Sequence, residues 1–259
     1  MNMKAKKHLG QHFLKSRRFA RTLAESVCAP GALVLEIGPG KGVLTAELLK
    51  KARKVIAIEK DKELVGFLCD TFADDIAAGR LEVVSGDALE VSPPVGEYVL
   101  AANIPYYITG AIIRKYLSGG NPPRAAGLLV QKEVAERIVR KDGKESVISV
   151  VVRAYGRPRI VARVGAKEFS PAPKVDSAIL AVSREESPFS SAREREEFFA
   201  FVKKGFSSKR KFLKSNLSGE DFPEGAEKAF ARAGIPLRAR AEEVLFPQWV
   251  SLYRALRRR

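Results

Sequence analysis

The apolar run Ala32 to Ile37 ends in Glu36-Ile37-Gly38-Pro39-Gly40-Lys41-Gly42, and a helical pattern begins at Val43. Three alternate glycines let a backbone turn sharply, pass close to a ligand and enter a helix. A strand, a glycine turn and a helix in that order commit the chain to the first half of a βαβ unit. The following residues keep the alternation. Strands are expected at Lys54 to Ile58, Leu81 to Val84, Tyr98 to Ala102 and Gly127 to Val130. Helices are expected at Ser16 to Val27, Val43 to Lys51, from a cap at Asp61 toward Phe72, at Ile108 to Leu117 and at Lys132 to Val139. This order predicts a parallel sheet covered on both faces. Beyond Val147 the pattern reads as strands, at Val147 to Tyr155, Arg159 to Val164 and Val175 to Val182, which are expected to close the far edge. The composition turns polar near Arg184 to Pro188. The rest reads as helices at 193–206, 209–217, 224–233, 240–245 and 247–257, a small helical domain.

The turn is not a dinucleotide fingerprint, because GxGxxG needs glycine where Val43 stands. Nor is it a P-loop, because no Ser or Thr follows Lys41 at the required spacing. GxGxG behind an acidic strand end is the form seen in methyl-donor sites. Glu59 closes the second strand, where an acceptor binds ribose hydroxyls of either NAD or S-adenosylmethionine. Gly86-Asp87-Ala88 follows the third strand, and a carboxylate there suits an adenine amino group. Asn103-Ile104-Pro105-Tyr106 follows the fourth. An amide oxygen and a carbonyl held extended by the next proline can accept both hydrogens of an exocyclic amine. Tyr106 offers a flat face for a base.

Charge adds a partner. The chain holds 46 Lys+Arg against 30 Asp+Glu, a net charge of +16. Residues 1–21 carry Lys4, Lys6, Lys7, Lys15, Arg17, Arg18 and Arg21 without an acid. Residues 203–214 carry Lys203, Lys204, Lys209, Arg210, Lys211 and Lys214, again without an acid. These two blocks hold most of the net charge and suit a polyphosphate partner. The longest apolar runs are too short for a bilayer, and no apolar stretch follows the basic start, so neither membrane nor signal peptide is expected. Cys28 and Cys69 lack metal-type spacing. They are expected as thiols in a reducing compartment, and no metal site is expected.

These motifs together resemble the ribosomal RNA adenine N6,N6-dimethyltransferases, the family that confers kasugamycin sensitivity in bacteria. The resemblance rests on Gly10-Gln11-His12-Phe13-Leu14, the Gly38 turn, Ile58-Glu59, Gly86-Asp87-Ala88 and Asn103 to Tyr106. It extends to Leu129 to Val134, Phe169 to Ser177 and Lys209-Arg210-Lys211. It implies a Rossmann-like class I S-adenosylmethionine-dependent methyltransferase domain at 1–186 and an all-helical RNA-binding domain at 187–259. It implies a cytoplasmic enzyme that dimethylates N6 of two adjacent adenosines in a small-subunit rRNA hairpin loop during ribosome assembly. Its partner would be the small ribosomal subunit precursor, and nothing in the chain demands more than a monomer.

The resemblance also assigns roles. His12, Leu14, Gly38, Gly40, Glu59, Asp87, Ala88 and Asn103 would bind the donor. Asn103, Ile104, Pro105, Tyr106 and Phe169 would hold and orient the target adenine. Lys4, Lys6, Lys7, Arg17, Arg18, Lys209, Arg210 and Lys211 would grip RNA. Asparagine is frequent in the family at the position of His12. Three other readings stand beside this one. Macrolide-resistance methyltransferases share the fold and the Asn-Ile-Pro-Tyr motif but modify large-subunit RNA. Non-catalytic relatives bind nucleic acid, a reading disfavoured by the intact Asn103 and Tyr106. An NAD oxidoreductase is disfavoured by Val43.

Overall fold

The computed structural model describes residues 5–6, 9–218 and 226–257. A short strand, β1 (Phe13–Leu14), leads into α1 (Arg17–Val27). Then follow β2 (Leu33–Ile37), α2 (Val43–Leu48), β3 (Lys54–Glu59), α3 (Lys62–Thr71), α4 (Ala73–Ala77) and β4 (Leu81–Ser85). After these come β5 (Val99–Asn103), α5 (Thr109–Leu117), β6 (Ala125–Gln131), α6 (Lys132–Ile138) and α7 (Val147–Tyr155). Three strands come next, β7 (Gly156–Val164), β8 (Phe169–Ser170) and β9 (Ser177–Arg184). Four α-helices complete the described chain: α8 (Ala192–Gly205), α9 (Leu213–Leu217), α10 (Ala226–Arg232) and α11 (Phe246–Arg257).

Seven strands form one sheet in the order β4-β3-β2-β5-β6-β9-β7. The first five are parallel, and β9 runs antiparallel to β6. Val99 to Ala102 are all buried, because helices cover both faces of a parallel sheet and its central strands lose their alternation. The chain winds outward from β2 in one direction and from β5 in the other. The switch between them opens a crevice at the strands' carboxyl ends, where sheets of this kind bind ligands.

Ala20, Leu23 and Ala24 form the buried stripe of α1. A Cβ at Gly127 of β6 would stand 2.9 Å from a Leu23 methyl and 3.1 Å from Val27, so glycine there lets helix and strand approach. Asp61 caps α3, accepting the Glu63 amide at 3.1 Å. Two elements were not expected from sequence, α4 and the separate two-stranded ribbon that β1 makes with β8. The expected helix at 209–217 is only Leu213–Leu217, and that at 240–245 is a single 3-10 turn, Ala241–Glu243.

One expected strand is a helix. Val147–Tyr155 is rich in β-branched residues, yet it forms α7. Ser146 accepts the Ser149 amide at 3.2 Å, and Ser149 Oγ accepts the Ser146 amide at 2.7 Å, a reciprocal cap. Val150 and Ala154, four residues apart, then enter the core shared with Phe198, Phe230 and Trp249. Burial on one helical face overrides the strand preference of the individual residues.

The described residues divide into two units. One holds those up to Ala135 together with Arg157–Arg184, and the other holds Glu136–Gly156 together with those from Glu185 onward. Residues 136–156 therefore cluster with the C-terminal helices, whereas the sequence suggested one boundary at 186. The second unit is built around Trp249, which is fully buried. Phe206 stacks on it at 5.5 Å and Phe201 meets it edge-on at 5.9 Å.

Candidate active site

A cavity of about 280 Å³ opens in the first unit at the carboxyl ends of β2, β3 and β5 and of the segment after β4. Its floor is the turn from β2 to α2. Gly38, Gly40 and Gly42 all take positive φ, at 69°, 58° and 75°. A Cβ on Gly38 would stand 2.8 Å from the Asn103 carbonyl oxygen. Only glycine brings the turn this close to the end of β5.

Glu59 closes β3 with 7% of its surface exposed. Its two oxygens accept the Gly40 amide at 3.1 Å and the Asp61 amide at 3.0 Å. Burial pushes its carboxyl up, against the opposing pull of those amides. A carboxylate held this way has a fixed orientation and keeps lone pairs for a diol. Asp87 lines the cavity beyond β4. Lys60 Nζ stands 2.8 Å from one oxygen, and the Leu89 amide donates to the other at 2.8 Å. The Lys60 ammonium holds the Asp87 carboxyl below its usual range. Ala88, next to it, is buried in the cavity wall.

Asn103 ends β5. Its side-chain amide has no hydrogen-bond partner among the described residues, and the carbonyl of Ile104 has none either. Pro105 sits at φ −55° and ψ 135°, the extended entry to the turn Tyr106–Ile108. Tyr106 is half-buried, with its hydroxyl 2.5 Å from Ser177 Oγ. Its ring lies nearly parallel to His12, at 6.1 Å between centroids and 21° between planes.

The N-terminal arm forms the roof. Phe13 pairs with Ser170 and Leu14 with Phe169 in the β1–β8 ribbon. Leu14 and Phe169 are both buried and both line the cavity. His12 Nδ1 lies 2.7 Å from the Pro171 carbonyl, which can only accept, so Nδ1 carries the proton. Sequence reasoning missed the His12–Tyr106 stack and the Ser177 bond, because each joins residues distant in the chain.

Glu36 was seen in sequence only as an acidic strand end. It is fully buried beneath the glycine turn. Neither of its oxygens, nor Thr45 Oγ, reaches a partner in hydrogen-bond geometry, although the nearby Thr45 hydroxyl favours the ionised form. Burial pushes its carboxyl up to about 8.

The basic residues divide. Lys4 and Lys7 lie outside the described residues. Lys6 is not a free cation, because its Nζ is 2.7 Å from Asp61 and 3.1 Å from Glu63. Arg17 and Arg18 are exposed at the start of α1. Lys209, Arg210 and Lys211 are exposed between α8 and α9 in the second unit. Cys28 and Cys69 are unpaired thiols. Among the described residues no group of three or more His, Cys, Asp or Glu could hold a metal ion, and no helix is long and apolar enough to cross a membrane.

The ribosomal RNA adenine dimethylase family matches residues 2–258. Ribosomal RNA small subunit methyltransferase A of Dehalococcoides mccartyi is 36% identical over 259 residues, covering 96% of this chain and 88% of that one. Among solved structures, the 23S rRNA methyltransferase ErmE superposes with a TM-score of 0.77 at 30% identity, over 94% of this chain and 99% of the other. A dimethyladenosine transferase from Plasmodium falciparum gives a TM-score of 0.79 at 27% identity, over 93% and 96%. The fold is that of Rossmann-like class I methyltransferases with a C-terminal helical region.

Proposed function

The chain belongs to the ribosomal RNA adenine dimethylase family, and we propose that it methylates N6 of two adjacent adenosines in a small-subunit rRNA hairpin loop. The product is N6,N6-dimethyladenosine, and the methyl donor is S-adenosylmethionine. The observation that carries this reading is the pair of unpartnered acceptors at the end of β5, the Asn103 amide and the Ile104 carbonyl.

The cavity fits the donor. The positive-φ turn at Gly38 and Gly40 leaves room for its amino-acid part. Glu59 presents an oriented carboxylate to a ribose, and Asp87 and Ala88 border the place for its adenine. His12 and Leu14 cover it from the arm. S-adenosylmethionine supplies an electrophilic methyl group carried on a sulfonium.

The remaining chemistry belongs to the chain. Adenine N6 is a poor nucleophile, because its lone pair is delocalised into the ring. Asn103 Oδ1 accepts one N6 hydrogen and the Ile104 carbonyl the other, which turns the lone pair out of the ring plane. Tyr106 holds the base that has left its stack, with its own hydroxyl fixed by Ser177. Phe169 backs the site from the ribbon. No strong base is needed, since the methylated nitrogen is acidic and sheds its proton to water. Catalysis is orientation and charge stabilisation. After one transfer a single N–H remains, so the second relies on one acceptor.

Lys209, Arg210 and Lys211, with Arg17 and Arg18, contact RNA phosphates. The substrate is a precursor of the small ribosomal subunit and the enzyme acts as a monomer. The test is transfer of labelled methyl from S-adenosylmethionine to unmodified small subunits and to unmodified large-subunit RNA, with nucleoside analysis. Dimethyladenosine in small-subunit RNA is the expected result. Label only in large-subunit RNA would place the substrate with that of ErmE, and RNA binding without label would overturn the enzymatic reading.

A further inference from the structure

The arm that roofs the cavity is tied down at a second place, away from the β1–β8 ribbon. Asp61 receives two of its groups: Lys6 Nζ at 2.7 Å on one carboxylate oxygen, and Gln11 Nε2 at 3.0 Å on the other. Gln11 is itself oriented, because its Oε1 accepts the Lys6 amide at 2.8 Å. The Asp61 side chain is 4% exposed and that of Lys6 31%. This carboxylate does more than a helix cap requires. The cap uses one oxygen for the Glu63 amide, and an asparagine would serve equally well there. The charge and the second oxygen are taken up by the arm. Lys6 holds the Asp61 carboxyl below its usual range despite burial, with help from Gln11.

The connection continues inward. The Asp61 amide donates to Glu59 Oε1, and the other Glu59 oxygen accepts the Gly40 amide. One run of hydrogen bonds therefore leads from the arm, through Asp61, to the carboxylate and the turn that border the donor. Beyond Gln11, His12 is fixed to Pro171, and Phe13 and Leu14 to β8. The segment Gln11 to Leu14 thus spans the cavity between two anchors.

We infer that Lys6, Gln11 and Asp61 are positioning residues, a clasp that keeps the arm across the donor site and sets how long the donor stays bound. Lys6 serves the donor side of the reaction rather than RNA. The inference rests on the donor-site reading above. Its ion pair is partly exposed, so added salt weakens it and speeds donor release.

Donor dissociation is measured by stopped flow on the full chain with S-adenosylmethionine, at several salt concentrations. Lys6→Met and Asp61→Asn, which keeps a capping oxygen, are each expected to speed release by roughly tenfold, the scale of one charge-assisted hydrogen bond. The double variant should speed release by less than the product of the two single effects, since the Lys6–Asp61 ion pair is lost in each. Lys6→Arg should retain slow release, and the salt dependence of release should be smaller in Lys6→Met than in the unmodified chain. A merely structural role would lower the unfolding midpoint without these changes. Unchanged release in both variants, with RNA affinity and its salt slope reduced by Lys6→Met alone, would overturn the clasp and return Lys6 to RNA. A wild-type chain that fails to bind S-adenosylmethionine would instead remove the donor site itself.

Discussion

Glu36, buried just before the glycine turn, is held in its neutral form at an electrostatic cost. Burial pushes its carboxyl up to about 8 from an ordinary value of 4.5. Between those values the folded chain holds a proton that the unfolded chain has lost. Stability therefore falls as pH rises through that window, by at most about 1.4 kcal/mol per pH unit. Glu36→Gln removes the titration. Urea unfolding at about pH 5 and about pH 8 should show a steeper decline for the unmodified chain than for the variant. Parallel declines would mean that Glu36 keeps the same proton occupancy in both states. Asn103 makes the opposite kind of prediction. Its amide has no protein partner, so Asn103→Ala leaves no buried group orphaned and should spare the fold. Methyl transfer should drop by about a hundredfold to a thousandfold, the scale of losing a preorganised donor or acceptor at a reacting centre, with RNA affinity nearly intact. Turnover within tenfold of the unmodified enzyme would dismiss Asn103 as the group that orients the amine.

At the scale of elements, α7 depends on its cap more than on propensity. Ser146→Ala removes the oxygen that accepts the Ser149 amide, and should cost about 1 kcal/mol in denaturant unfolding. An unchanged midpoint would mean that burial of Val150 and Ala154 alone sets the helix. The same element shows what the chain reveals when read one residue at a time. The parallel strands were legible because apolar runs of strand length alternate with helical patterns and glycine punctuation. The place of Asn103 to Tyr106 in the cavity wall was legible because an amide, a proline and an aromatic follow directly on an apolar strand. Glu59 was legible because a strand end is a fixed address in this architecture. The β-branched run before Tyr155 misled, since only its tertiary neighbours reveal which periodicity is used. The arm's contacts were hidden for a similar reason. Gln11 meets Asp61 and Leu14 meets Phe169 only after folding, and no local pattern announces either meeting.

At the scale of the whole molecule, the described basic residues divide into paired and exposed ones. Lys6 is neutralised by Asp61 and Glu63, whereas Lys209, Arg210 and Lys211 stand exposed on the second unit. Replacing those three with glutamine should reduce the slope of log affinity against log salt by about 2 to 3 in RNA binding. An unaltered slope would leave the block as a solvated surface. The β1–β8 ribbon has a consequence for how the enzyme comes into being. Phe13 leaves the ribosome early and Ser170 much later, so at ordinary rates of synthesis the arm waits on the order of 10 s for its partner strand. Strands β2 to β6 are already available to pair in that interval. A nascent or truncated chain that stops short of β8 can thus own a sheet and a glycine turn while lacking the lintel of its binding chamber, and that chamber is roofed only once β8 emerges, ahead of the C-terminal helices.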